Sequence, residues 1–326
     1  MKRLTDNVVA RLQTDMRLPD LSGTRYRIIR YLARGGMGTV WLVEDTMLMR
    51  RVALKVLGLV TPAQDVAERL LQEARILASL EHPGIVPVHD AGTLADGRAF
   101  YCMKFVEGHT LAEHVADKSL PERLRLLERI AEPLDFAHLR GFIHRDLKPE
   151  NIMIGAFGEV LIMDWGLAKI GAQAPETGIS NRLGSGQATS RDTVPGSMLG
   201  TPGFMSPEQA GVGSKVDHRT DIFSLGAILW SMLTGLAPDK NSSVSLPRPL
   251  RAICAKAMAA DPNARYISAG AMTADVVNYL NSAPVSAYQE RWFERAGRIY
   301  ARHRVAVVLV AAYLLMRGFF ILWPRR

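Results

Sequence analysis

The stretch HRDLKPENIMI, residues 144–154, sets five ionisable side chains and a proline within eight positions and then turns apolar. Asp146, two residues after His144 and next to Arg145, is suited to take a proton from an incoming hydroxyl. Lys148 supplies positive charge where a transferring phosphoryl group would pass. Asn151 offers a neutral amide oxygen. Thirteen residues further on, the apolar run EVLIMDWG carries Asp164, a hard carboxylate suited to binding Mg2+ together with that amide oxygen. Such a set can perform phosphoryl transfer, and the spacing predicts two adjacent strands that open on one mouth.

Lys55 lies inside the apolar run VALKVLGL. A strand buried on both sides does not tolerate an ammonium without an anionic partner. Glu73 is the predicted partner, because it sits among apolar residues at 70, 71, 74, 77 and 80, a helical period. That pair would hold Lys55 toward bound phosphates; taken alone, an edge-strand lysine reaching to water is the other reading. Gly35, Gly36 and Gly38 let backbone amides approach a phosphate without interference from Cβ atoms. A flexible hairpin explains such a run as well as a nucleotide does, so the glycines alone decide nothing.

The elements that must hold these residues follow from periodicity. RYRIIRYLARGGMGTVWLVED predicts strand, glycine turn and strand; RRVALKVLGLV a third strand; VAERLLQEARILASLEH a helix; AFYCMKFVE another strand. After Gly108 the pattern is mostly helical, through LAEHVADK, LRLLERIAEPLDFAHLRG, DIFSLGAILWSMLTG and LRAICAKAMAADP. This is an α+β chain in which a small strand-rich lobe precedes a larger helical one. Residues 1–25 form an N-terminal extension, with a short helix expected to carry Val8, Val9, Leu12 and Met16. Between Gly166 and Met205 lies a loop rich in Gly, Ser, Thr and Pro, too long and irregular to be a simple connection.

The chain has 326 residues, 48% of them hydrophobic, enough for two lobes with a real core. Two cysteines, Cys102 and Cys254, without metal-ligand spacing, exclude a disulfide framework and a zinc site and fit a reducing compartment. The net charge of +8 is concentrated: residues 283–326 carry eight arginines, two glutamates and no lysine, and so account for +6 of it. A basic tail without a basic body argues against nucleic-acid binding. That tail ends in VAVVLVAAYLLMRGFFILW, residues 305–323, interrupted only by Arg317. At a rise of about 1.5 Å per residue it reaches roughly 28 Å, close to the hydrocarbon thickness of a bilayer. A single membrane-spanning helix is therefore expected, with Trp323 at one interface; a buried C-terminal helix is the alternative. Five arginines before the stretch and two after it place the preceding residues in the cytoplasm.

From residue 26 to 281 the chain resembles a protein kinase. GGMGTV is similar to the glycine-rich loop, VALK to the strand of the nucleotide-positioning lysine, and HRDLKPEN to the catalytic loop; DWG resembles the metal-binding triplet and SPE the end of the activation segment. Lys148 within DLKPEN is the serine/threonine form, and GGMGTVWLVED, LEHPGIV and GTPGFMSPEQA are most similar to bacterial serine/threonine kinases of eukaryotic (Hanks) type. The resemblance implies a bilobal fold with one main helix, Glu73 in it, packed on a small antiparallel sheet. It implies ATP and Mg2+ as cosubstrate and cofactor, Asp146 as catalytic base, Lys148 beside it, Lys55 on the α- and β-phosphates, and Asn151 and Asp164 on magnesium. The nucleotide site carried over comprises Leu32, Ala33, Arg34, Gly35, Gly36, Met37, Gly38, Val40, Ala53 and Lys55, with gatekeeper Met103 and hinge Lys104 to Val106. Glu208 should pair with Arg265, and Asp221 should brace the catalytic loop.

Departures accompany the match. Ala33 replaces the first glycine of the loop, and Trp165 follows Asp164 where phenylalanine is usual. Only 14 residues, LAPDKNSSVSLPRP, separate Gly235 from the next helix near Leu250, too few for the further helix that kinases usually place there. The activation segment, 164–208, contains Ser180, Ser185, Thr189, Ser190, Thr193, Ser197 and Thr201. Thr201 resembles the threonine that bonds the catalytic aspartate, Thr193 and Ser197 are candidate phosphorylation sites, and Arg145 is suited to pair with a phosphate placed there. The expected protein phosphorylates protein Ser/Thr hydroxyls, itself included, with a homodimer for trans-autophosphorylation. It would be held to the membrane by residues 305–323 through a basic segment, 282–304. A pseudokinase scaffold and a small-molecule kinase are the rival readings; retention of Lys55, Glu73, Asp146, Asn151 and Asp164 speaks against the first, and GTPGFMSPEQA against the second.

Overall fold

The computed structural model describes residues 18–35, 38–58, 63–165, 169–170, 203–211, 216–238, 245–292, 294–295, 297 and 304–322. The expected N-terminal helix over Val8 to Met16, Gly36 and Met37, the Ser and Thr residues from Ser180 to Thr201, and Trp323 lie outside them.

The first lobe is a five-stranded antiparallel sheet of order β1-β2-β3-β5-β4. Its strands are β1 (Tyr26–Gly35), β2 (Gly38–Asp45), β3 (Arg50–Leu57), β4 (Val88–Thr93) and β5 (Ala99–Lys104). Side chains alternate between the faces of a strand, and β3 uses both. Val52, Leu54 and Val56 join Trp41, Val43 and Phe100 in one cluster. Ala53 and Leu57 face the other way, onto the larger core that includes Leu70, Ala74 and Leu77 of helix α1 (Ala63–Ser79). Lys55 shares that second face. β3 lies between β2 and β5, so the edge-strand reading of Lys55 is excluded. Helix α1 begins and ends three residues earlier than the run 66–82 predicts.

β4 was not legible in sequence, because VHDAGT has neither β-branched enrichment nor clean alternation. It forms because the edge of β5 is available and pairs with it from Val88↔Met103 to Thr93↔Ala99.

The second lobe is built on α3 (Leu120–Leu139), α5 (Arg219–Thr234), α6 (Arg248–Ala257) and α7 (Ala269–Leu280), with short helices α2 (Leu111–His114) and α4 (Pro207–Ala210). The helix expected over LAEHVADK is thus one turn long. A Ser119–Glu122 capping box starts α3, and Gly235, at φ 73°, ends α5 in the left-handed conformation that glycine adopts without a Cβ penalty. Strands β6 (Gly108–Thr110), β8 (Ile152–Gly155) and β9 (Val160–Ile162) make a small sheet, and β7 (Phe142–Ile143) pairs with β10 (Lys169–Ile170). Between Gly235 and α6 no helix is present among the described residues, as the short connection predicts.

Packing continues past residue 281, where the catalytic region was expected to end. Val285 is buried in the main core, and Ala287 and Tyr288 pack against it. Asp275, buried in α7, accepts hydrogen bonds from the Ser286 amide (2.7 Å), the Ser286 hydroxyl (2.8 Å), the Ala287 amide (3.0 Å) and the Tyr266 hydroxyl (2.8 Å). Glu294 extends this clasp, accepting from Arg248 at 3.1 Å and from the Tyr288 hydroxyl at 2.9 Å.

The apolar tail forms α8 (Arg304–Leu322), close to the expected 305–323. Among the described residues no helix is long and apolar enough to cross a membrane, so the transmembrane expectation has no support from that criterion.

Removing the Asp275 carboxylate strands several donors at once, at a cost of about 2–3 kcal/mol. We predict that Asp275→Ala melts roughly 5–10 °C below the wild type, and that a chain cut after Ala283 loses at least as much. Equal melting temperatures would show that the clasp is ornamental.

Candidate active site

The site assembles where the lobes meet. β3 and β5 place Lys55 and Tyr101 side by side as cross-strand partners. Lys55 Nζ donates to both carboxylate oxygens of Glu73, at 2.9 and 3.2 Å, and to Asp164 Oδ1 at 2.8 Å. Burial alone pushes the Lys55 ammonium down; the adjacent carboxylates of Asp164 and Glu73 outweigh it and hold the pKa well above the ordinary value. Lys55 is therefore charged, as the sequence requires of an ammonium in an apolar strand. Burial likewise raises Asp164, but the adjacent Lys55 cation more than offsets this and leaves its carboxyl below the usual range.

Asn151 and Asp164 reach one mouth by a simple device. The β8–β9 hairpin pairs Ile152 with Ile162, so the residue before β8 and the residues after β9 emerge at the same end. The Met163 amide donates to the Asn151 carbonyl at 2.8 Å and fixes that end. Asn151 Nδ2 donates to the Asp146 carbonyl (2.8 Å) and to Asp146 Oδ2 (3.3 Å), which turns the amide so that Oδ1 is the atom left for a cation. Among the described residues no group of three or more His, Cys, Asp or Glu side chains is arranged to hold a metal. One amide oxygen and one carboxylate do fit magnesium, which takes few ligands from protein when phosphates and water supply the rest.

Lys148 Nζ lies 2.9 Å from Asp146 Oδ2, so the carboxylate expected to accept a proton and the cation sit together. Their loop is held by buried Asp221. Its Oδ1 accepts from the Arg145 amide (2.8 Å), and its Oδ2 accepts from the His144 amide (2.8 Å) and lies 2.7 Å from His138 Nε2. Burial raises the Asp221 carboxyl, and the hydrogen bonds from His138 and the Arg145 amide outweigh that, so the group stays ionised. Those bonds sustain a strained turn at Arg145, φ 70°, a left-handed value that residues with a Cβ seldom adopt; Asp164, beyond β9, has φ 56°. His144 Nδ1 accepts from the Asp146 amide, which makes Nε2 the donor to the Met163 carbonyl at 2.9 Å. The His144 ring packs on the Trp165 indole, centroids 4.7 Å apart. Tryptophan thus serves as the apolar plug behind Asp164, fully buried.

The nucleotide-site residues divide. Leu32 and Val40 pack against the core that contains Ala53 and Met103, and Val106 is buried. Ala33 and Arg34 pair with Val40 and Thr39 across the glycine hairpin, and Gly35 with Gly38; Gly36 and Met37 lie outside the described residues. Gly38 has a structural reason of its own, since a Cβ there would stand 2.0 Å from the Val56 carbonyl oxygen. Lys104 leaves the sheet with its amide donating to the Pro87 carbonyl at 3.0 Å.

The expected Glu208–Arg265 pair is present and bidentate, at 2.6 and 2.7 Å, with Thr220 adding a bond at 2.8 Å. Burial raises the Glu208 pKa, and Arg265 more than reverses it, to about 2. Arg145 Nε is buried with no hydrogen-bond partner among the described residues. Sequence reasoning missed Tyr101, whose hydroxyl donates to Glu73 Oε1 at 2.7 Å. The clue available was a tyrosine on the Lys55-facing side of a strand predicted to be core.

Comparison with known proteins follows this geometry. Residues 26–269 match the model of the protein kinase domain. The chain is 36% identical over 297 residues to serine/threonine-protein kinase PknD of Chlamydia caviae, covering 80% of this chain and 32% of the relative. It is 33% identical over 307 residues to PknD of Protochlamydia amoebophila, covering 82% and 30%. The chain thus spans about a third of the length of the curated relatives it matches. Among solved structures it is similar to the kinase domain of Mycobacterium tuberculosis PknI, with a TM-score of 0.58 and 27% identity over 81% of this chain and 99% of that one.

Two outcomes follow from the charges. Lys55→Met leaves Glu73 buried without its cation, a loss of about 3 kcal/mol; the melting temperature should fall by roughly 5 °C, and Lys55→Met/Glu73→Leu should recover part of it, the Tyr101 hydroxyl being left without its acceptor. A depressed carboxyl stabilises the fold fully above its ordinary pKa, 4.5, and loses that contribution as pH falls toward about 2. Melting temperature between pH 5 and about 3 should therefore decline less steeply in Glu208→Gln than in the wild type; parallel curves would remove Glu208 from the acid transition.

Proposed function

We infer, from the premise that this chain belongs to the protein kinase family, and within it to the bacterial Hanks-type serine/threonine kinases, that it transfers the γ-phosphate of ATP to Ser and Thr hydroxyls of proteins. The observation that carries the reading is that Lys55 with Asp164, and Asp146 with Lys148 and Asn151, form two sets of contacts of 2.8–3.3 Å that the Met163–Asn151 backbone bond brings to one mouth.

In this mechanism ATP enters under the β1–β2 hairpin, its adenine beside Met103 and the stretch Lys104 to Val106, against Leu32, Val40 and Ala53. Lys55, held by Glu73, holds the α- and β-phosphates. Asn151 and Asp164 would hold magnesium, which would supply positive charge to the phosphate oxygens. Asp146 orients the acceptor hydroxyl and takes its proton as the new P–O bond forms. The bond from the γ-phosphorus to the bridging oxygen breaks, and ADP leaves. Lys148, 2.9 Å from Asp146, stabilises charge on the group in transit. Burial lowers the pKa of the Arg145 guanidinium, and its unpartnered Nε supports pairing with a phosphate on the activation segment, with Thr193 and Ser197 the proposed acceptors.

We also propose that 305–323 anchors the protein in a membrane, catalytic domain in the cytoplasm. Val308, Leu309, Val310, Leu314, Leu315 and Met316 are each more than half exposed on α8. Successive helix positions point in different directions, so these six residues spread apolar surface over more than one side of the helix, which suits lipid better than water.

Full-length protein with labelled ATP and Mg2+ should label itself on Ser or Thr, and Asp146→Asn should reduce this at least about a hundredfold. Labelling that survives the substitution means that another group is the base. A rate per molecule that rises with protein concentration marks trans transfer between copies. In fractionation the chain should remain with membranes through carbonate washing and leave only in detergent; release by carbonate would rule out a spanning anchor.

A further inference from the structure

Tyr101 raises a question that core packing does not answer. It is fully buried in the main apolar cluster, where phenylalanine would fill the same space. Burying a hydroxyl is costly unless it is hydrogen-bonded, and among the described residues this one has a single partner, Glu73 Oε1, at 2.7 Å. Burial pushes the phenol's pKa well up, so the oxygen keeps its proton and donates.

The register makes the arrangement specific. Lys55 on β3 and Tyr101 on β5 are direct antiparallel partners, so both project from the same face toward α1. Glu73 therefore receives three bonds from two neighbouring strands, and Oε1 takes one from each. The ammonium also stands 5.6 Å from the Tyr101 ring centroid, within cation–π range.

The two anchors differ in what else they must do. Lys55 is shared between Glu73 and Asp164, and in the proposed reaction it also meets phosphate oxygens. Its hold on Glu73 is diluted whenever those anions compete. Among the described residues the Tyr101 hydroxyl has no competing acceptor, and the side chain is fully buried.

We propose that Tyr101 is a positioning residue: its hydroxyl latches Glu73, and with it helix α1, onto β5 independently of Lys55, so that α1 stays docked while Lys55 exchanges Asp164 for nucleotide phosphate. The inference rests on the phosphoryl-transfer reading above for its consequence, though the latch itself is a property of the fold.

The test uses the full-length protein in detergent and the variants Tyr101→Phe, Glu73→Gln and the double variant. With casein as acceptor, Tyr101→Phe should lower kcat/KM for ATP about tenfold, the effect of losing one hydrogen bond to a charged group, mainly through a raised KM. In the Glu73→Gln background the same substitution should change kcat/KM less than about twofold, because the partner has already lost its charge. Hydrogen exchange of the α1 amides from Leu70 to Leu77 should quicken about tenfold in Tyr101→Phe. Effects that multiply independently, or unchanged α1 exchange, would overturn the latch. Exchange reads docking without turnover, so a wild type that transfers no phosphate would sink the kinase reading and still leave the latch decided.

Discussion

A single buried ammonium governs this structure. Lys55 sits on the central region of a sheet whose neighbours are apolar, and a charge so placed must be compensated within a few ångströms. Its compensation comes from two directions: Glu73 on α1 and Asp164 beyond β9. Satisfying the charge therefore fixes the helix against the sheet and one lobe against the other. The same geometry draws in Tyr101, because the sheet register that presents Lys55 to Glu73 presents its cross-strand partner as well.

A second buried charge performs the equivalent task in the helical lobe. Asp221 accepts two backbone amides and faces His138, and this holds the segment His144–Arg145 in a conformation that costs strain at Arg145. Asp146 is thereby carried to Lys148 and Asn151 by the backbone. Glu208 with Arg265, and Asp275 with Ser286 and Ala287, repeat the pattern at the periphery. Each time a carboxylate removed from water is repaid by several donors, and for Asp221 and Glu208 the main donors come from segments distant in sequence. The polar core is thus what ties together elements that apolar packing alone would leave free to slide.

The legible residues share one property. Lys55 stood out because a charge in an apolar strand violates binary patterning, and Glu73 because it interrupts a helical apolar stripe. Asp146, Asn151 and Asp164 stood out because hard oxygens cluster beside apolar runs. The strand β4, the length of α2 and the clasp on Asp275 violated nothing: VHDAGT, LAEHVADK and PVSAYQE read as ordinary loop or surface sequence. Tyr101 was hidden for the opposite reason, since an aromatic residue in a core strand is the expected thing, and only its hydroxyl is unusual.

By itself, then, the sequence determined which polar groups gather at the mouth between the lobes, that a mixed fold with a strand-rich first lobe presents them, and that charge is concentrated in a tail with an apolar end. Those are properties of residue type, spacing and period. Only the tertiary structure decided what the buried charges rest on: the tyrosine that shares Glu73, the backbone strain that Asp221 sustains, the crowding that makes Gly38 a packing requirement, and the extension of the core to Val285. Each depends on the approach of segments far apart in the chain to within hydrogen-bonding or van der Waals distance. Such distances are set by the register of the sheet and the packing of the helices, which no local pattern of residues encodes.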